Sequence, residues 1–504
     1  GRTGESGGAA DHLMPFVTGP LPQRLKLVHG FGAVAFGVKD SGVSFFLLPF
    51  YNLVLGVDAG TVGAALATAL VIDAIVDPLI GHFSDRTYTR WGRRLPWLYL
   101  APWPLALLWT MLWSPPFTGT PGFWDIVALA VGVRLLLSAC EVPSVSLVPE
   151  ITDDYDDRTT LFRYRFLSGW LGGLLMMVLS FTVFLPTPES QLQPEGYASY
   201  GLFGAALMVL AVVGSAAAQH RIVAQLPERK PGRFSLTGAF AEIFDAFREK
   251  AFVIFALGGL AAYVLQGMTF SITQYVNLYV WQFSELAFQL YPAVLFLSVV
   301  LMFLIVSPIH RRWGKPKAAA ISALVGLVFY CGPYFLLLAG AWPPPGTTAS
   351  TVLLFALLIV ANTSSVISII SATSMVAEIV EAFEERTGKR AEGTFYSGNW
   401  LVQKCATGGG IMLTSLIVQS VDIAPGTPQA AVSPDAVRQL VVLFVIAASA
   451  LALFAAFWLG RFPITRAQHE ARVANRLSRR PPTEENDPID DAVRADPDAH
   501  SITP

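Results

Sequence analysis

Residues 69–97 read ALVIDAIVDPLIGHFSDRTYTRWGRRLPW, and this stretch decides the fold. Its first half is apolar enough to lie in a bilayer, yet it carries Asp73 and Asp77. Spacing i, i+4 stacks both carboxylates on one helix face. A carboxylate at mid-bilayer costs at least a few kcal/mol unless it meets a cation or lines a wet cavity. The second half holds Arg86, Arg90, Arg93 and Arg94, a basic turn of the kind kept on the cytoplasmic side. A buried acid pair running into an anchored basic turn reads as the cation site of a transporter.

The composition agrees. Of 504 residues, 53% are hydrophobic and 14% charged, against about 25% charged in an ordinary globular chain. A net charge of −2 gives no reason to expect nucleic acid or an acidic partner. Cys140, Cys331 and Cys405 each sit in an apolar run without a CxxC or a His at ligand spacing, so they read as small core residues. No HExxH, GxSxG turn, Walker loop or metal-spaced Cys/His cluster is present, which disfavours a membrane enzyme. No organic cofactor is expected.

Twelve runs are long enough to span, each needing roughly 20 residues. They lie near 30–55, 60–83, 97–114, 124–148, 166–185, 200–220, 251–280, 287–308, 318–340, 351–377, 395–420 and 438–461. A break near Gly267 is expected in the seventh. The turns after runs two, four, six, eight and ten carry Lys and Arg, whereas the intervening turns carry none, apart from Arg438 at the start of the last run. That alternation places both termini in the cytoplasm.

Residues 221–250 form the longest polar interruption, and their second part has the periodicity of a helix lying on the membrane surface. The expected organisation is a flexible arm (1–26), a six-helix bundle (27–220), a linker with a surface helix (221–250), a second six-helix bundle (251–461) and a disordered tail (462–504). An internal repeat supports the split. Residues 147–159 (LVPEITDDYDDRT) are echoed by 375–387 (MVAEIVEAFEERT), and 90–93 (RWGR) by 312–315 (RWGK). The expectation is an all-α polytopic membrane protein with twelve transmembrane helices in two pseudo-symmetric halves, the architecture of the major facilitator superfamily.

Depth along each run follows from the ~1.5 Å rise per residue. Asp40, Asp73 and Lys404 fall ~15 Å from the cytoplasmic end, and Asp77 and Glu141 ~10 Å. Charges on four helices at two neighbouring depths can share one cavity. Stacked carboxylates with Glu141 suit Na⁺, whereas one buried carboxyl suffices for a proton, so the cation stays open between Na⁺ and H⁺. Other uses of these groups are open too. Asp77 and Glu141 could satisfy backbone freed by Pro78 and Pro143, Asp40 could pair with Lys39, and Lys404 could neutralise an acid across the bundle. Arg134 reads as a structural partner of Glu141. Asp40 and Arg165 suit the hydroxyls of a polar substrate, with Trp170 and Trp400 offering ring faces. The acids at 153, 154, 156, 157, 381, 384 and 385 are expected to pair with basic turns at a cytoplasmic gate.

At these residues the chain resembles the glycoside–pentoside–hexuronide:cation symporters, typified by the melibiose permeases. Lys39 and Asp40 resemble the helix-one segment that contacts sugar there, and Asp73, Asp77 and Pro78 its D-x-x-x-D-P cation pair. Gly81, Asp85, Arg86, Arg90, Gly92 and Arg93 resemble its loop signature, Glu141 its helix-four acid, Arg165 its sugar-contacting arginine and Lys404 its helix-eleven lysine. Glu141 stands where melibiose permeases have Asp, and Val145 where they have a tryptophan against the sugar. Sodium-dependent lysophospholipid symporters resemble the same family, which leaves a lipid-like substrate as the alternative.

The resemblance implies a secondary active transporter that couples Na⁺ or H⁺ to uptake of a small solute, a sugar or glycoside first, by alternating access. Asp73, Asp77 and Glu141 would bind the cation, as a metal site if it is Na⁺. Asp40, Arg165, Trp170 and Trp400 would contact substrate, and Lys404 would couple the two. A monomer in the plasma membrane is expected, with no nucleic-acid partner.

Overall fold

The computed structural model describes residues 20–152, 155–226, 233, 235–388, 392–464 and 466–479. Every span expected from the apolar runs is present. The twelve are α1 (Gln23–Val54), α2 (Ala59–Asp85), α3 (Leu95–Trp113), α4 (Phe123–Ile151), α5 (Asp157–Phe184), α6 (Pro194–Ala218), α7 (Lys250–Val280), α8 (Glu285–Trp313), α9 (Lys315–Leu338), α10 (Thr348–Thr387), α11 (Thr394–Ser420) and α12 (Pro434–Gly460). They are helical because no other open-chain structure satisfies backbone groups inside hydrocarbon.

The structure corrects three expectations. The α7 helix does not break at Gly267, where a Cβ would come within 2.9 Å of the Thr407 carbonyl oxygen. That glycine lets the α7 and α11 backbones touch, which is the usual reason for small residues between membrane helices. The 1–26 arm is shorter than expected, since α1 starts at Gln23. The 462–504 tail is not wholly irregular: Arg466–Arg479 forms a helix, and residues 480–504 lie outside the described set. In the linker, Leu236–Asp245 is helical, with Ser235 Oγ accepting from the Gly238 N–H at its start.

The halves meet along α1 with α7, α2 with α11 and α5 with α8. Closure is tight on the face opposite the basic turns. There Tyr275 Oη donates to Asn52 Oδ1 at 2.9 Å, the Gln274 amide donates to Gln191, and Gly60 N–H donates to Gln419 at 2.6 Å. The rings of Phe181 and Phe288 stack 5.3 Å apart between α5 and α8. From below this seal a cavity of about 1580 Å³ widens toward the basic turns. Arg158, Tyr396 and the surface helix line its mouth.

The internal repeat is visible as matching ion pairs. Arg93 bonds Glu150 at 2.7 Å in the first half, and Lys315 sits 3.3 Å from Glu378 in the second. All four residues lie in the echoed stretches.

Candidate functional site

The α2 helix carries Asp73 and Asp77 one turn apart on the side facing α4 and α11. Pro78 has no N–H to give to the Ala74 carbonyl, so that carbonyl lacks its helical donor although the helix continues, and Ala74 lines the cavity. Lys404 of α11 crosses between the halves. Its ammonium bonds Asp73 Oδ2 at 3.0 Å and also Asp77 Oδ2. Ser138 Oγ lies 3.0 Å from Asp73 Oδ1 and 2.5 Å from Asp77 Oδ1, so one hydroxyl hydrogen is shared by two carboxylates. Arg134 completes the set, 3.4 Å from Asp73. Two acids thus face two bases, and burial is tolerated because the charges are paired and hydrogen-bonded.

The expected three-acid site is not assembled in this state. Among the described residues no three His, Cys, Asp or Glu side chains gather as metal ligands. Asp73 and Asp77 instead both bond the Lys404 ammonium. Glu141 lines the cavity on α4, one turn beyond Ser138 and outside this ion-paired cluster. Arg134 does not partner Glu141 as expected; it reaches Asp73, because its α4 position faces the upper of the stacked acids.

The remaining expected residues divide. Asp40 lines the cavity and pairs with Lys39 at 2.9 Å, its own side chain 69% exposed. Arg165 is largely buried: Nη1 donates to Ser144 Oγ at 2.7 Å and lies 3.4 Å from His29 Nε2, while the group still borders the cavity. Trp170 stacks on Phe296 of the other half at 5.7 Å, and the Lys404 ammonium sits 5.5 Å above the Trp400 ring. Both tryptophans line the cavity.

In the loop motif, Gly92 takes φ +84°, a conformation that favours glycine. Arg90 lies over the Trp91 ring and Arg86 bonds His82. Arg94 proves the hub, donating to Ser84 at 2.6 Å, Asp85 at 2.6 Å and Glu150 at 2.9 Å. Gly81 packs beside Val142 of α4. Of the acids expected at the gate, 153 and 154 lie outside the described residues. Glu150 and Glu378, which the residue pattern does not single out, also meet the basic turns. Ser138 is not singled out either. Its signal is its place, one helical turn before Glu141 on the same face.

Residues 28–466 match the family described as MFS/sugar transport protein, and the chain belongs to it. The chain is therefore a membrane transporter of the major facilitator fold, not an enzyme. It is 27% identical to the uncharacterized symporter sll1374 of Synechocystis sp., over 88% of this chain and 94% of that protein. It is 31% identical to the isoprimeverose transporter of Lactiplantibacillus pentosus over 163 residues, 32% of this chain and 34% of that protein. Among solved structures, a bacterial homologue of the human lysosomal transporter Spinster, inward-facing and unoccupied, superposes with a TM-score of 0.60 at 14% identity. That match covers 88% of this chain and 98% of that one, and it speaks to the fold alone.

Proposed function

We propose that this chain is a symporter that couples entry of Na⁺ or H⁺ to uptake of a sugar or glycoside. It works as a monomer in the plasma membrane by alternating access. The basic turns and both termini face the cytoplasm, by the positive-inside rule, so the cavity opens inward.

One observation carries the reading: Lys404 of the second half is held by Asp73 and Asp77 of the first. Two carboxylates, the Ser138 hydroxyl and the freed Ala74 carbonyl form an oxygen-rich pocket that suits Na⁺, and a single protonation suits H⁺ as well. Either cation competes with the Lys404 ammonium for the same oxygens. Cation entry therefore loosens a charged tether between the halves, and cation exit restores it. Asp40, Glu141 and Arg165 border the same cavity as Asp77 and Lys404, so a solute bound there shares one space with the cation. Sugars come first as solute because the family and the isoprimeverose transporter bear that description. Hydroxyls also suit the carboxylate of Asp40 and the guanidinium of Arg165.

The test is uptake of labelled isoprimeverose and labelled xylose into proteoliposomes under an imposed Na⁺ gradient and, separately, a pH gradient. Accumulation of either sugar under one gradient supports the reading. No accumulation under both gradients, with folded protein, removes the coupling.

A further inference from the structure

Two aromatic stripes run from the charged layer of the cavity toward its mouth. On α5, Phe162, Phe166 and Trp170 follow at i, i+4 and i+8, and all three line the cavity. On α11, Tyr396, Trp400 and Lys404 do the same. Lys404 with the acid pair stands at the deep end of the α11 stripe, and Arg165 stands beside Phe166 partway along the α5 stripe. At the other end stand Phe240 and Ile243 of the surface helix.

These rings are not packed away. Phe166 is 57% exposed, Phe162 45%, Trp400 47% and Tyr396 45%. Exposed apolar side chains converging on one cavity are costly in water and mark a place where something apolar binds. The cavity, about 1580 Å³, is also larger than the roughly 300–1,000 Å³ of ordinary small-molecule sites.

We propose that the transported solute is a glycoside with an apolar aglycone. The sugar sits at the charged layer, and the aromatic or alkyl group lies between the Phe162–Phe166 and Tyr396–Trp400 walls. This inference rests on the sugar reading above and narrows its substrate class. The charge order favours it. A hydroxylated ring finds donors and acceptors at Asp40, Glu141 and Arg165, whereas the Phe162, Phe166, Tyr396 and Trp400 side chains give an apolar group ring faces. A free monosaccharide would leave the stripes wet.

The experiment measures binding of six ligands to the purified protein by isothermal titration: the methyl and the phenyl β-glycosides of xylose, glucose and galactose. Lysophosphatidylcholine is the seventh. The parent is compared with Phe166→Ala and Phe162→Ala. For the sugar that binds, the phenyl glycoside is expected to bind at least about tenfold more tightly than the methyl glycoside. Each variant narrows that gap to about threefold or less while its methyl-glycoside affinity stays within about twofold, which also shows that the variants are folded. Equal affinity for methyl and phenyl forms overturns the inference and leaves the sugar reading standing. An unchanged gap in both variants also overturns it. An equal loss for both forms assigns the stripes to gate closure and overturns it as well. Binding of lysophosphatidylcholine with none of the glycosides overturns the sugar reading and this inference together, as does binding of none of the seven.

Discussion

Arg93 donates to Glu150 at 2.7 Å, and the same contact recurs in the second half as Lys315 to Glu378 at 3.3 Å. The two pairs differ in what surrounds them. Glu150 also takes Arg94, whose side chain is only 5% exposed, whereas Lys315 is 26% exposed. Glu150→Gln leaves two guanidiniums short of a carboxylate, at a cost of about 3 kcal/mol for a buried pair. Lys315→Gln removes one half-buried cation from the buried Glu378 carboxylate, where Glu150→Gln affects two guanidiniums, and costs less, about 1–2 kcal/mol. Thermal unfolding in detergent should therefore show a clearly larger loss for Glu150→Gln. Equal losses would mean that the halves are anchored alike despite the difference in burial.

Removing Lys404 should separate binding from coupling. In Lys404→Ala the competitor for the acid pair is gone, so Na⁺ or H⁺ is expected to bind about tenfold more tightly. Solute exchange should persist while gradient-driven accumulation is lost. Cation affinity measured by isothermal titration checks the first point. Weaker cation binding in the variant would mean that Lys404 organises the site instead of contesting it.

Ser138 shares its hydrogen between Asp73 and Asp77. Hydrogen bonds to charged groups contribute about 1.5–3 kcal/mol. Ser138→Ala is expected to weaken Na⁺ binding by about tenfold, because the hydroxyl oxygen at the acid pair is lost. A large stability loss with cation binding intact would place Ser138 in the scaffold alone.

Tyr275 and Asn52 latch the face opposite the basic turns. Tyr275→Phe leaves the Asn52 carbonyl oxygen without this donor, and the closed side should lose about 1 kcal/mol of stability. Spin labels on the first and second halves at that face should report a larger open fraction. An unchanged distance distribution would show that the neighbouring ring stack holds the seal without the latch.

The fold is legible in the sequence because bilayer thickness imposes a length and the basic turns impose an alternation, and both are one-dimensional signals. The depth of Lys404 relative to Asp73 and Asp77 is legible for the same reason, since helical rise converts residue number into height. Rotation about the helix axis is harder to read. Spacing along α4 matches Arg134 to Glu141 on its own helix, whereas its partner is Asp73 on α2. Glu150 and Glu378 stand in plain view within the repeat, but the more numerous acids that follow them carry the stronger charge signal. Gly267 suggests a broken helix because a glycine in one sequence cannot show the neighbouring backbone it makes room for. Glu141 stands apart from the acid pair because residue pattern does not report conformational state. In this structure both acids of the pair are held by Lys404.

The central claim is that Asp77 converts a cation gradient into solute accumulation by exchanging Lys404 for the cation. It is tested most directly by comparing the parent with Asp77→Asn in one proteoliposome preparation, measuring both gradient-driven uptake and gradient-free solute exchange. The account predicts that Asp77→Asn keeps exchange within a few-fold of the parent and loses accumulation. Equal accumulation by parent and variant would contradict it and move the coupling site away from this pair.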